Sequence, residues 1–143
     1  MTGLFDNHGI SFQYPTNWEL DVTDEGAVTT VAIHAPKRPA FAILTIDATK
    51  PAPAEIADQA LEAMREEYPG LDSTPALETI GGHHAVGHDI EFFTLDMTNS
   101  CQIRCFRTAN RTVLVFVQWS DIEGDEAGLV LAAVRTSIAE TDS

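Results

Sequence analysis

The sequence predicts an α+β fold in which an antiparallel β-sheet is flanked by helices on both faces, an α/β/α sandwich. Three observations lead there. Stretches near the start and in the second half alternate apolar and polar residues with a period of two, as half-buried strands do. Residues 56–68 and 127–138 change to a period near 3.6, which marks amphipathic helices. Residues 113–119 are apolar on both sides of a would-be strand, and such a strand needs cover above and below.

Residues 1–9 read as a lead-in, with Asn7, His8 and Gly9 as turn formers. Ile10, Phe12 and Tyr14 then alternate with Ser11 and Gln13, and Trp18, Leu20 and Val22 alternate with Glu19 and Asp21. Pro15, Thr16 and Asn17 between them suit a three-residue hairpin loop. Proline fixes φ at its first position, and asparagine tolerates the left-handed last one. The expected hairpin sets Tyr14 opposite Trp18, Phe12 opposite Leu20 and Ile10 opposite Val22, all turned inward. Asp24, Glu25 and Gly26 give a turn, and residues 28–34 and 41–47 read as two further strands. Pro36 and Pro39 make their connection a loop, because proline cannot donate to a ladder. Four antiparallel strands in sequence result.

Pro51, Ala52 and Pro53 end that pattern. Ile56, Ala57, Ala60, Leu61, Met64 and Tyr68 form the apolar stripe of a helix, which Pro53 opens and Pro69 with Gly70 closes. Leu77 to Ile80 run through Gly81 and Gly82 into a tight hairpin, and a long strand extends to Leu95. Met97 to Ser100 are expected to turn it into residues 101–108, and Ala109 with Asn110 to turn those into residues 112–119. Tight turns place Phe92 opposite Cys105 and Cys105 opposite Leu114, with Cys101, Ile103 and Phe116 on the same face. The other face carries Phe93, Arg104, Phe106, Val113, Val115, Val117 and Trp119. Ser120 and Glu123 offer a capping box for the last helix, whose stripe is Ala127, Val130, Leu131, Val134 and Ile138. Gly128 reads as a mild defect of about 1 kcal/mol against alanine. Residues from Glu140 onward read as a frayed tail.

The chain has 143 residues, the length of one ordinary domain, and no linker divides it, so residues 1–143 are taken as a single domain. A hydrophobic share of 44% and a charged share of 21% fit a globular protein. The longest apolar run falls far short of the ~20 residues of a membrane span. No secretory signal is visible at the start, so a cytoplasmic location is expected. Eight Lys and Arg stand against 22 Asp and Glu, a formal charge of −14. Neither nucleic acid nor an anionic membrane is a natural partner for such a surface.

Candidate chemistry is sparse. Cys101 and Cys105 lie on one strand, about 13 Å apart, where a disulfide allows at most ~7 Å, so two buried reduced thiols are expected. His84 and His88 share a strand face but stand about 13 Å apart, while zinc would hold them within ~4–5 Å, and His83 points the other way. No metal ligand is therefore assigned. Asp89 and Glu91 share a strand face, yet any two neighbours among 22 acids do as much. There is no nucleophile elbow, phosphate-binding glycine loop or H-E-x-x-H motif. No catalytic residue and no cofactor is assigned, and an enzyme is not the favoured reading. Arg104 among aromatic residues has two readings. Its stem packs under a helix while its head reaches an acid, or the face is partly open and has the composition of a protein-binding hot spot. The candidate partner-binding residues are Phe93, Arg104, Phe106 and Trp119.

Gly9, Ile10, Phe12, Tyr14, Pro15 and Trp18 follow the pattern G-hydrophobic-x-hydrophobic-x-Y-P-x-x-W. This resembles the opening signature of Mog1/PsbP-like domains, and the order of the remaining elements is similar too. The resemblance spans almost the whole chain and implies an α/β/α sandwich. It also implies a mostly non-enzymatic role, since the family includes a Ran-binding nucleotide-release factor, extrinsic photosystem II subunits and bacterial chaperone or lipoprotein members. The function expected is a protein-binding, adaptor or chaperone-like accessory module. The rival is a small-molecule or lipid carrier, or a hydrolase with an unannounced site, marked by a deep apolar pocket between helix and sheet.

Overall fold

The computed structural model describes residues 1–141, apart from the side chain of Glu123. The first half of the chain forms β1 (Thr2–Asn7), β2 (Ile10–Pro15), β3 (Glu19–Glu25), β4 (Val28–His34), β5 (Phe41–Asp47) and α1 (Pro53–Glu67). The second half forms β6 (Asp72–Ile80), β7 (His83–Thr94), β8 (Met97–Arg107), β9 (Thr112–Ser120), a 3₁₀ turn at Asp121–Glu123, α2 (Gly124–Thr136) and β10 (Ala139–Glu140). All strand pairings among the described residues are antiparallel. Seven strands make one sheet in the order β3-β4-β5-β9-β8-β7-β6, and three make a second in the order β1-β2-β10.

Strand β9 lies at the middle of the large sheet and fixes its layers. Val113, Val115 and Val117 are wholly buried in a core shared with Phe5, Ile10 and Phe12 of the small sheet and Leu131 and Val134 of α2. Leu114 and Phe116, alternating with them, pack on a second cluster formed by Ala57, Leu61 and Met64 of α1 with Ile90, Phe92, Cys101, Ile103 and Cys105. Helix α1 lies across β7, β8 and β9, and α2 packs against β2 and β9.

The pairing of the opening strands differs from the expected hairpin. Strand β2 pairs with β1 on one side and β10 on the other, and β3 pairs with β4. His8 and Gly9, both with positive φ (55° and 78°), form a two-residue turn that folds Thr2–Asn7 back onto β2. The short turn from Pro15 to Trp18, closed by a 3.0 Å backbone hydrogen bond, instead carries the chain from one sheet to the other. Tyr14, Trp18 and Leu20 still pack on the core of Ile10 and Phe12, but Val22 is 44% exposed on an edge strand. Alternation identifies a buried face; it does not choose the neighbour.

The turn between β7 and β8 also lies earlier than expected, at Leu95 and Asp96, so Met97 to Ser100 are strand residues. Phe92 consequently pairs with Asn99, while Cys105 faces Val86 and Leu114. The register shift is even, which leaves every side chain on its expected face. Gly128 proves useful to packing, because a Cβ there would sit 3.1 Å from the Trp119 ring. Glu140 is no tail residue. It pairs with Ile10, accepts hydrogen bonds from Arg111 and Thr108, and is followed by a 2.9 Å bond from the Thr141 amide to Gly9. The Glu123 half of the expected capping box and the last two tail positions lie outside the described residues.

Outer strands are guarded against edge pairing. β3 carries Glu19, Asp21, Asp24 and Glu25, and β6 carries Pro75. At Gly87 the neighbouring strand comes so close that a Cβ would stand 1.7 Å from the Ile103 carbonyl oxygen. Gly87→Ala should therefore cost roughly 3 kcal/mol or more, read as a large drop in the urea midpoint or as failure to fold.

Candidate functional site

Arg104 stands on β8 opposite Gly87 of β7 and Val115 of β9. The absent side chain at Gly87 lets the backbone of Ile103 and Arg104 approach closely, and Arg104 is only 5% exposed. Its Nε donates to Glu78 Oε1 at 2.9 Å, its second terminal nitrogen pairs with Asp89 Oδ1 at 2.9 Å, and the first donates to the Ile103 carbonyl at 2.9 Å. From the last turn of α2, Arg135 reaches the same Glu78 carboxylate at 3.0 and 3.1 Å and also donates to Gln102. One carboxylate on β6 thus holds two arginines from different elements and ties α2 to the sheet.

Burial pushes the Glu78 carboxyl up, but the hydrogen bonds from Arg135 and Arg104 and their positive charges outweigh it. The net result lies below the ordinary carboxylate value. Neither Glu78 nor Gln102 was marked by any motif in the sequence. A partial signal existed in Arg135, a cation placed next to Val134 and four residues after Leu131 on a buried stripe, and in Glu78, which shares a strand face with buried Ile80.

The four candidate partner residues do not share one surface. Phe106 is 1% exposed and stacks on the His83 ring at 5.5 Å. Arg104 is enclosed as described. Phe93 is 70% exposed, and Trp119 is half-buried against Gly128. Trp119 lines a surface cleft with Asp72, Thr74, Asp89, Glu91, Ser100 and Gln102. Phe93 follows Glu91 on the same strand face, opposite Thr98. This end of the sheet is both acidic and aromatic.

The remaining polar candidates serve packing. His88 Nε2 lies 2.9 Å from Asp58 Oδ1 on α1, and His83 Nδ1 is buried without a hydrogen-bond partner. Among the described residues no three His, Cys, Asp or Glu side chains converge as a metal-binding set. Cys101 and Cys105 are both free and buried. Burial and the nearby Asp89 charge raise the Cys101 thiol pKa, and burial pushes Cys105 up to about 12. Beside α1 a cavity of about 300 Å³ is lined by Thr45, Asp47, Pro51, Ile56, Gln59, Ala60, Thr112 and Leu114. No helix among the described residues is long and apolar enough to cross a membrane.

A mixed α+β architecture of antiparallel sheets and two helices, with this order of elements, is that of the PsbP/Mog1-like fold. Two solved structures that it resembles carry that fold over nearly their whole length. Cyanobacterial PsbP (CyanoP) from Synechocystis superposes with a TM-score of 0.66 at 9% identity, over 97% of this chain and 92% of that one. LpqN, involved in cell envelope biogenesis of Mycobacterium tuberculosis, gives 0.59 at 14% identity, over 99% and 91%. A Bacteroides thetaiotaomicron structure gives 0.56 at 12% identity, covering 94% of this chain and 46% of that one. No protein-family model matches the chain, and no curated protein is significantly similar to it. At such identities the likeness is one of fold.

Two outcomes follow from the site. Glu78→Gln should destabilise the protein by roughly 2–3 kcal/mol at pH 7, somewhat less than for a wholly buried pair because Glu78 keeps some solvent contact. Because the folded-state carboxyl is depressed, its contribution is present above the ordinary carboxyl value of 4.5 and is lost as pH falls through the folded value. The gap between wild type and variant in urea titrations should therefore hold from pH 7 down to about 5 and close in more acid solution. Separately, neither thiol should react with an aromatic disulfide reagent at pH 8 in the folded protein, and both should react in denaturant.

Proposed function

We propose that the chain is a non-catalytic protein-binding module that acts as an accessory or chaperone-like partner of another protein, built as an α/β/α sandwich. The layered reading is supported by β9, whose alternate residues pack on clusters containing α1 and α2. One observation carries the functional reading. Phe93 stands free in solvent at the end of a cleft that combines Trp119 with Asp72, Asp89 and Glu91. Aromatic anchors with an acidic rim suit a segment bearing lysine or arginine, whose cations pair with the carboxylates and stack on the indole. Arg104 pairs with Asp89 of this rim, and Phe106, stacked on His83, lies towards the other end of β8. The fold shared with CyanoP and LpqN is consistent with an accessory role.

A second reading has its own observation, the mainly apolar cavity beside α1 with Thr45, Asp47, Gln59 and Thr112 at its edges, which suits a small apolar ligand. Site-specific photocrosslinking in the native host separates the two. A crosslinking aromatic residue in place of Phe93 should trap one protein, and the adduct should vanish with Glu91→Lys. The same residue in place of Leu77, also strongly exposed at 84%, should trap nothing in common with it. Identical adducts at both positions would count against the module. A melting temperature raised by a metabolite, without any adduct, would favour the carrier.

A further inference from the structure

We infer that the part of the large sheet that α1 does not cross, over β3, β4 and β5, is a docking trough for an amphipathic helix with a cationic flank, supplied by another protein. Strand β5 shows the asymmetry plainly. Ala42, Leu44 and Ile46 are buried in the core, while Phe41, Ile43 and Thr45 on its other face are only partly buried. That other face is the one on which α1 sits, but α1 lies across β7, β8 and β9. Ala32, Phe41 and Ile43 belong to neither buried cluster.

Strand register lays out the floor in rows. Thr30 stands beside Thr45 and Leu114, Ala32 beside Ile43 and Phe116, and His34 beside Phe41 and Gln118. His34, Phe41 and Phe116 form an aromatic ladder with ring centroids 6.1 and 6.0 Å apart. One wall is the flank of α1, where Ile56, Gln59 and Ala60 border the cavity over Thr45 and Leu114. The other wall is β3, whose Glu19, Asp21 and Glu25 share this face through their pairing with His34, Ala32 and Val28. Apolar floor and acidic wall together specify an occupant with an apolar stripe and a basic side.

The protein already seats one amphipathic helix on this face, since α1 buries Ala57, Leu61 and Met64 there. A seven-residue strand such as β5 spans roughly 23 Å, the length of a helix of about 15 residues. A second copy of this chain is a poor occupant, because it would bring another β3 wall and another −14 charge against the first. The inference rests on the binding-module reading but uses the sheet face opposite the Phe93 and Trp119 cleft, so either surface can fail alone.

The test uses a synthetic peptide of about 15 residues of leucine and lysine, with leucine at helical spacing, against a scrambled peptide of equal composition and a leucine–glutamate analogue. Amide NMR shifts on titration should fall on β3 to β5, β9 and the α1 flank, and spare Phe93 and Trp119. Ile43→Glu should weaken binding about tenfold or more while circular dichroism stays unchanged, and Phe41→Gln serves should that variant misfold. Glu19→Lys with Asp21→Lys should transfer preference from the lysine peptide to the glutamate peptide. Equal binding of the scrambled peptide, or shifts spread over the acidic surface, would overturn the proposal. So would self-association that Ile43→Glu abolishes, which would assign the face to a second copy.

Discussion

Everything in this architecture answers to the burial of β9 on both faces. A strand with valines on one side and leucine and phenylalanine on the other gains nothing from a single covering layer, because half its apolar surface would stay in water. Its central place in the sheet, with β5 and β8 as neighbours, removes both edges from solvent. Residues of α1 belong to one of the two clusters on this strand and residues of α2 to the other. The small sheet adds Phe5, Ile10 and Phe12 to the α2 side, so the larger core is closed by a helix and a sheet together.

The arginines drawn into this interior are satisfied by carboxylates, although His83 Nδ1 is buried without a partner. Arg104 and Arg135 meet on Glu78, and Arg111 and Thr108 meet on Glu140. Neither set increases stability much beyond what apolar residues of the same shape would supply. What they add is uniqueness. A carboxylate that needs two guanidinium partners from different elements rejects any packing that separates them, and we take this as the reason that α2 has one seat on the sheet.

Much of this was legible from residue patterns, and the failures share one cause. The α1 stripe, the Gly81-Gly82 turn and the two-faced β9 are local periodicities, and each was found where the pattern placed it. Face assignment along β7, β8 and β9 survived even where the turn was misplaced, because the shift preserved parity. The choice of partner for β2 was not local. Pro15 to Asn17 is a competent hairpin loop in isolation, but His8-Gly9 closes a tighter one, and β10 completes the small sheet by pairing Ala139 with Ser11 and Glu140 with Ile10, far apart in sequence. The candidate site was half-visible for the same reason. Phe93 and Trp119 announce themselves by chemistry, whereas Glu78 and Arg135 acquire their meaning only when α2 is laid over the sheet.

The pairing of Ala139 and Glu140 with β2 bears on how the protein is made. Ile10 and Phe12 find no lid until α2 has been synthesised, and the small sheet lacks its third strand until Ala139 and Glu140 follow. A nascent chain must therefore carry an apolar ribbon unshielded while β3 to β9 are made. Closure of the core therefore waits for the elements that follow β9.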